Sequence, residues 1–509
     1  MNNECYLLGV DVGSTNIKSV IFNSSGKEIV VVSKRMPLEH PLPGWVERDM
    51  DLLWTITKDV IKESILKSSI EPSKIIGVGV CGQGDGLYLL DKDGRPVRKG
   101  VLSIDTRATE FVLCWEKENV VEELFPIIGQ KPHAGAPLSI LAWLKENEPE
   151  NFSKIKWILF CKDYIKYKLT NIICTDETDP SATLTDINTR RYSDKIFEIV
   201  DLEECKEKLP EIIPAWKKCG EVTEEAGEET GLLKGTIVCS GLHDVDAVGL
   251  GAGCINGGQL LIILGTWEIN QIILDNIILD PNRKCMTRVY ALPNKWLLLN
   301  ASPAATSNLN WFIDNFCKEE TEKAEKNSVS PHEICDKEIE DIPPGSEGVF
   351  YLPFLYGKVD EPWATAGFYG VTGKHTRKHL LRSVYEGVAY STLMQVEEMK
   401  KLTKIKDIYV AGGGAKSKVW VNIMSNVLNF PLKIPAGTEI GARGAAICAG
   451  VSANVFKDLI SATKSFTSLS YERYPIVEEV KKYEQFYRIW SDTAKVFSYI
   501  WKNLSKIGK

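Results

Sequence analysis

The chain reads as an α/β protein of two domains, and three observations predict this. Its 509 residues exceed the size at which one hydrophobic core goes on growing, so two units of ~250 residues are expected. Strand-like and helix-like segments alternate along the first half, and Ile75-Ile76-Gly77-Val78-Gly79-Val80 is the near-continuous apolar run of a strand buried on both faces. A second block of the same grammar opens with the apolar run at 258–264 and ends in the Gly265-Thr266 turn. Gly-rich turns bracket Cys254-Ile255-Asn256, which sets the boundary and gives domains 1–253 and 254–509.

In order along the chain, strands are expected near 6–12, 16–23 and 27–35, followed by a helix at 50–67. The strand at 75–80 ends in Cys81-Gly82-Gln83-Gly84-Asp85-Gly86 and leads to another at 87–91. Helices are read at 138–145 and 163–169, with Asp163 as the N-cap of the second. The strand at 236–239 precedes Ser240-Gly241-Leu242-His243-Asp244, which opens a helix built of Val, Ala and Gly. The partner of the 258–266 block is Ile408-Tyr409-Val410-Ala411, running into Gly412-Gly413-Gly414-Ala415. Phe486, Ile489, Trp490, Ala494, Phe497, Ile500 and Trp501 recur at helical spacing, which predicts a docked helix over 483–504.

Composition excludes several classes. A hydrophobic share of 44%, a charged share of 25% and a net charge of −7 with neither sign segregated argue against a nucleic-acid surface. No run of about 18 uncharged apolar residues predicts a membrane span, and Met1-Asn2-Asn3-Glu4 leads straight into a strand without a signal-peptide pattern. The 13 cysteines are scattered, with no Cys-x-x-Cys pair, as expected of buried thiols in a cytoplasmic protein.

Three Gly-containing turns carry the chemistry, since phosphates need donors without bulk. At Asp11-Val12-Gly13-Ser14-Thr15, Gly13 admits a phosphate, Ser14 and Thr15 offer hydroxyl and N–H donors, Lys18 follows, and Asp11 can hold hydrated Mg²⁺. Gly265-Thr266 is a second phosphate-facing turn. Gly413, Gly414 and Ala415 bring bare backbone against a flat ligand such as adenine. Asp244, the polar group at the start of an apolar helix, can accept the proton of an attacking hydroxyl. Asp246, which a helix points away from Asp244, reads as a structural residue or one that supports the site from behind, and His243 as either a ligand contact or, in the favoured reading, a satisfied core histidine. Gln83 and Asp85, at a buried strand end with Gly84 between them, suit vicinal hydroxyls.

These segments, in this order, resemble the FGGY carbohydrate kinases over 7–449. The matches include Pro43-Gly44-Trp45-Val46-Glu47-Arg48-Asp49, Ile104-Asp105-Thr106-Arg107-Ala108 and Tyr385-Glu386-Gly387-Val388-Ala389. The resemblance implies a two-domain actin-like ATPase fold of ribonuclease H type with an interdomain cleft. It implies a first domain, 1–253, that binds sugar and phosphate, and a second, 254–509, that binds nucleotide. ATP and Mg²⁺ are the implied cofactors, Asp244 the implied base, and Asp11 the implied metal organiser through water. Gln83, Gly84, Asp85, Asp105 and Asp244 form the implied substrate set. Gly13, Ser14, Thr15, Lys18, Gly265, Thr266, Gly413, Gly414 and Ala415 form the implied ATP and phosphate set.

Within the family the opening is similar to L-xylulose or 3-keto-gulonate kinases, whereas Gly84-Asp85-Gly86 looks like the turn of erythritol kinases. The expectation is therefore a kinase of a ketopentose such as L-xylulose. The alternatives are a polyol kinase of erythritol or glycerol type, a kinase of D-xylulose or ribulose, and more remotely a sugar-independent actin-like ATPase. Expected partners are a small-molecule sugar or polyol and, among proteins, a second copy in a homodimer.

Overall fold

The computed structural model describes residues 5–507; the lead-in at residues 1–4 lies outside them. The described chain forms two compact units, each discontinuous in sequence. The first gathers residues up to 257 with 273–298 and 437–468, and the second gathers 258–272, 299–436 and the residues from 469 onward. Segments 273–298 and 437–468 thus follow the second block in sequence yet fold with the first unit.

The first unit is built on a mixed sheet ordered Lys218–Glu221, Ile237–Cys239, Ile75–Gly82, Tyr6–Val12, Asn16–Asn23 and Glu28–Arg35. Tyr6–Val12, Asn16–Asn23 and Glu28–Arg35 pair antiparallel in succession, whereas Ile75–Gly82 runs parallel to Tyr6–Val12. Register places Asp11 opposite Lys18 on one side and opposite Cys81 on the other. One face of the sheet is packed by Met50–Ser68, which Asp49 caps by accepting the Leu52 N–H at 2.8 Å.

The other face takes a helix from far along the chain, Ile440–Ser452. It lies so close that a Cβ on Gly9 or Gly79 would stand 2.0 Å from the carbonyl oxygen of Ala442 or Ala445 respectively. Glycines at alternate positions of Ile75–Gly82 fall on one side of the strand, because strand side chains repeat every second residue. They are there to seat this helix.

In the second unit Gln259–Leu264 pairs antiparallel with Glu268–Leu274 and parallel with Asp407–Ala411. Asp407–Ala411 in turn pairs parallel with Leu432–Pro435. An antiparallel hairpin followed by two parallel strands repeats the pattern of the first unit, without repeating its residues. The buried Glu386 of the Arg377–Leu402 helix accepts from Gly345 N–H, the Ser346 hydroxyl, Arg382 Nε and the Tyr483 hydroxyl at 2.8–3.0 Å. This ties the terminal helix, Val477–Ile507, to its neighbours. That helix is longer than 483–504, and its buried seam is Val480, Tyr483, Trp490 and Trp501. Ile489 and Ile500, read into the stripe from spacing, are 53% and 38% exposed, on the side of the helix that turns away from this seam.

One further correction concerns Asp163. The helix Cys161–Thr170 starts earlier than read, so Asp163 is its third residue and not its N-cap; it accepts the Phe160 N–H and binds Lys162 and Lys166.

Candidate active site

The turn after Tyr6–Val12 is exposed at Ser14 and Thr15. Its carbonyls at Gly13 and Ser14 are both held by the guanidinium of the fully buried Arg48, the first at 3.0 Å. With these carbonyls committed inward, the exposed turn has N–H and hydroxyl groups to offer an anion. Arg48 belongs to the Pro43–Asp49 motif, and its role could not be read from the motif alone. Lys18 reaches Glu439, just before the Ile440–Ser452 helix, at 2.6 Å.

Asp11 is half-buried between Lys18 and Cys81. Loss of hydration raises its carboxyl; Lys18 opposes this and Glu439 adds to it. A Cβ on Gly441 would stand 2.8 Å from its carboxylate, so the helix end leaves room there that a larger residue would take. Asp11, Glu439 and Asp244 against the single charge of Lys18 make a net-negative site, which fits a hydrated divalent cation. Among the described residues no group of three His, Cys, Asp or Glu side chains forms a direct metal cage.

Asp244 is the first residue of the helix Asp244–Gly251. His243 is the cap: its Nδ1 accepts the Val245 N–H at 3.2 Å. Burial, with Arg288 second, pushes the His243 imidazole down to about 3, so it is neutral with its proton on Nε2. Burial and then the charge of Asp11 push the Asp244 carboxyl up to about 7. The 36% of its side chain that meets solvent limits how far burial can carry it. Asp246 is buried and accepts the Ala291 N–H at 2.8 Å, a structural role.

The loop before Asp244 is anchored from beneath by a buried ionic cluster. Lys162 Nζ lies 2.7–3.0 Å from carboxylate oxygens of Asp163, Asp176 and Asp179. Lys166 binds Asp163 and donates to the Ser240 carbonyl at 3.1 Å, while Thr178 Oγ1 accepts the His243 N–H at 2.8 Å. Charges removed from water this completely persist only when paired on several sides.

Gln83, Gly84 and Asp85 are all buried at the end of Ile75–Gly82. Gln83 donates to the Tyr88 hydroxyl at 3.2 Å and leaves its Oε1 without a partner. Gly84 is pressed against His243; a Cβ there would stand 1.7 Å from the imidazole, so the turn and the cap of the Asp244 helix are in direct contact. Asp85 Oδ2 receives Arg288 at 3.1 Å and His133 Nε2 at 3.2 Å, while its buried Oδ1 is unpaired. Burial favours the neutral acid at Asp85, but Arg288 and His133 outweigh it and hold the carboxyl well below its ordinary range. Arg288, on the strand Met286–Val289, also bonds Gln130 Oε1 through Nε at 3.2 Å and Nη2 at 3.1 Å.

Asp105 is engaged by other residues. Its two oxygens accept from Val46 N–H, Arg107 N–H and the Arg107 guanidinium at 2.6–2.9 Å. Arg107 lies 4.0 Å over the Trp45 ring and bonds Glu47. Trp45, Glu47, Asp105 and Arg107 therefore form a brace that uses up the Asp105 carboxylate. His133, Gln130 and Arg288 went unread in the sequence, because none stands in a motif.

In the second unit the exposed Thr266 follows Gly265, whose carbonyl accepts the Thr306 N–H at 3.1 Å and hydroxyl at 2.6 Å. The three loop glycines differ in what they serve. A Cβ on Gly412 or Gly414 would come within 2.6 or 2.8 Å of Leu264, whereas one on the exposed Gly413 would meet nothing nearer than 4.0 Å. The first two seat the loop, and Gly413 leaves open space. Ala415 is buried behind it.

An actin-like two-domain fold with phosphate-type turns, a raised carboxyl at a helix start and a hydroxyl-suited turn defines a sugar phosphotransferase. The chain matches the FGGY family of carbohydrate kinases, N-terminal domain over residues 6–251 and C-terminal domain over 260–453, and it belongs to that family. Kinases of this family use ATP, generally with Mg²⁺.

Among relatives, it is 36% identical over 446 residues to a probable L-xylulose kinase of Haemophilus influenzae, covering 87% of this chain and 90% of the relative. It is 32% identical over 463 residues to the L-xylulose/3-keto-L-gulonate kinase of Escherichia coli, covering 90% of each. In fold it is similar to a ligand-bound xylulose kinase of Lactobacillus acidophilus, with a TM-score of 0.88, 23% identity and coverage of 98% and 99% of the two chains. It is also similar to the Plasmodium falciparum glycerol kinase with ADP, with a TM-score of 0.85, 20% identity and coverage of 96% and 98%. Among the described residues no helix is long and apolar enough to cross a membrane.

Proposed function

We propose that this sugar kinase transfers a phosphoryl group from ATP to a terminal hydroxyl of a ketopentose such as L-xylulose, with Asp244 as the base. The observation that carries the reading is Asp244 itself, a carboxyl raised to about 7 at a helix start whose cap touches the Gln83–Asp85 turn. A base with that affinity can take a proton from a hydroxyl as its oxygen attacks, and still release it afterwards. L-xylulose is favoured over other pentuloses because three relatives above 30% identity carry that sugar in their names.

Gln83 and Asp85 orient the sugar through acceptors that lack donors. Ser14, Thr15 and the N–H face of their turn hold phosphate oxygens. Asp11 organises the cation through water, with Lys18 and Glu439 fixing its charge environment. Bound Mg²⁺-ATP supplies the phosphoryl group and offsets charge on it, in a transfer where positioning and electrostatics carry most of the catalysis. In the second unit Gly265, Thr266, Gly413, Gly414 and Ala415 are the proposed nucleotide contacts.

The test is ADP release over L-xylulose, L-ribulose, D-xylulose, D-ribulose, 3-keto-L-gulonate, erythritol and glycerol. L-xylulose is expected to lead, and Asp244→Asn to lose ~10²-fold or more in turnover while still binding ATP. ADP release that ignores the sugar, or near-native turnover in the variant, refutes the reading.

A further inference from the structure

We propose that the Asp85–Arg288 ion pair is a charge filter that admits neutral sugars and excludes those bearing a carboxylate, an inference that rests on the sugar-kinase reading above. Arg288 is the cation that a substrate carboxylate would seek at this site, and its charge is already paired with Asp85. Its Nη2 binds Asp85 at 3.1 Å and Gln130 at 3.1 Å, and its Nε binds Gln130 at 3.2 Å. Arg288 is 6% exposed and Asp85 9% exposed, so solvent does little to screen the pair. His133 spends its Nε2 on the same Asp85 oxygen.

The unpaired atoms of the site point the same way. Asp85 Oδ1 and Gln83 Oε1 are buried acceptors without donors, and a buried acceptor gains most from a group that brings a proton. A hydroxyl brings one; a carboxylate brings only further lone pairs. Asp244 adds a second negative charge once ionised, so an acidic sugar then meets two carboxylates and an arginine whose charge Asp85 balances. Charge juxtaposed with like charge is a means of exclusion as well as a loss of attraction.

Removing the charge at Asp85 while keeping its shape frees Arg288. Asp85→Asn should therefore turn a site that rejects acids into one that tolerates them. Arg288→Gln leaves Asp85 with His133 as its remaining partner and removes the one arginine of the site, so it should weaken neutral sugars without admitting acids.

The experiment measures kcat/KM for L-xylulose and 3-keto-L-gulonate on the full chain, with the acid also titrated as an inhibitor of L-xylulose phosphorylation. The wild type should favour the neutral sugar by ~10²-fold, and the acid should inhibit with a Ki ~10²-fold above the KM for L-xylulose. Asp85→Asn should shift the ratio of the two kcat/KM values by ~10-fold or more toward the acid, and Arg288→Gln should not.

A wild type that uses both sugars equally, or binds the acid as tightly as L-xylulose, overturns the filter and leaves the kinase reading intact. An Asp85→Asn ratio equal to the wild type also overturns it. If that variant does not fold, the wild-type ratio and inhibition constant decide. Phosphorylation of neither sugar removes the parent reading and this inference together.

Discussion

Gly84→Ala tests whether the Gln83–Asp85 turn and Asp244 form one mechanical unit. The added methyl would start 1.7 Å from Cδ2 and Nε2 of His243. Non-bonded carbons rest about 3.5 Å apart, so the imidazole has to retreat by roughly 2 Å. It cannot do so and keep its hydrogen bond to the Val245 N–H, now 3.2 Å long. Losing that cap costs about 1 kcal/mol, and Asp244, which lies between His243 and Val245, moves with it. Misplacing a reacting group by ~1 Å lowers turnover by ~10²-fold. Steady-state kinetics and a thermal melt check this together: kcat should fall ~10²-fold while KM for ATP changes less than about twofold. The melting temperature should drop by about 1–2 °C, the effect of about 1 kcal/mol in a chain of this size. Native kcat in a protein with a native melt refutes the coupling.

Other outcomes follow from the same site and from the second unit. Asp244 must be ionised to act as base, and its carboxyl sits at about 7; kcat/KM for the sugar should level off above pH ~8 and fall about tenfold per unit below ~6. A profile flat down to pH 5 contradicts the assignment. Gly413→Ala meets nothing nearer than 4.0 Å, so its stability should lie within about 0.5 kcal/mol of the wild type while KM for ATP rises; an unchanged KM removes Gly413 from the nucleotide contacts. Glu268 is fully buried, and burial raises its carboxyl to about 7 despite bonds from Thr392 and Asn270. The folded state then holds a proton that the unfolded state releases, so stability present below pH ~4.5 declines up to pH ~7, by about 3 kcal/mol. Glu268→Gln should flatten that decline in urea melts at pH 5 and pH 8; an equal slope in both proteins contradicts the linkage.

Most of the fold was legible because its strands are apolar runs closed by small-residue turns, signals confined to a dozen neighbouring residues. Asp244 and Gln83-Gly84-Asp85 were legible for the same reason. Family resemblance, not pattern, drew attention to Asp105, and the structure gives its oxygens to Val46 and Arg107. Arg288 could not be found, since it stands on an ordinary strand and meets Asp85 across 203 positions of sequence. Asp163 was misread because a carboxylate near a helix start looks alike at the cap or three residues further in; only the position of Phe160 distinguishes them. Glu439 and Gly441 were invisible as neighbours of Asp11, because nothing local says that residues 437–468 fold back to the first unit.

That return has a consequence for how the chain is made. The sheet carrying Asp11 is synthesised early, yet its glycine-lined face stays bare until Ile440–Ser452 leaves the ribosome. Between residues 257 and 437 lie about 180 residues, roughly 10–40 s of translation at ~5–20 residues per second. For that interval the nascent first unit shows an apolar groove shaped for a helix it does not yet possess. Long-range closure of this kind is slow and open to aggregation. A chaperone that shields a nascent sheet should thus engage this chain before residue 437 emerges and release it soon after.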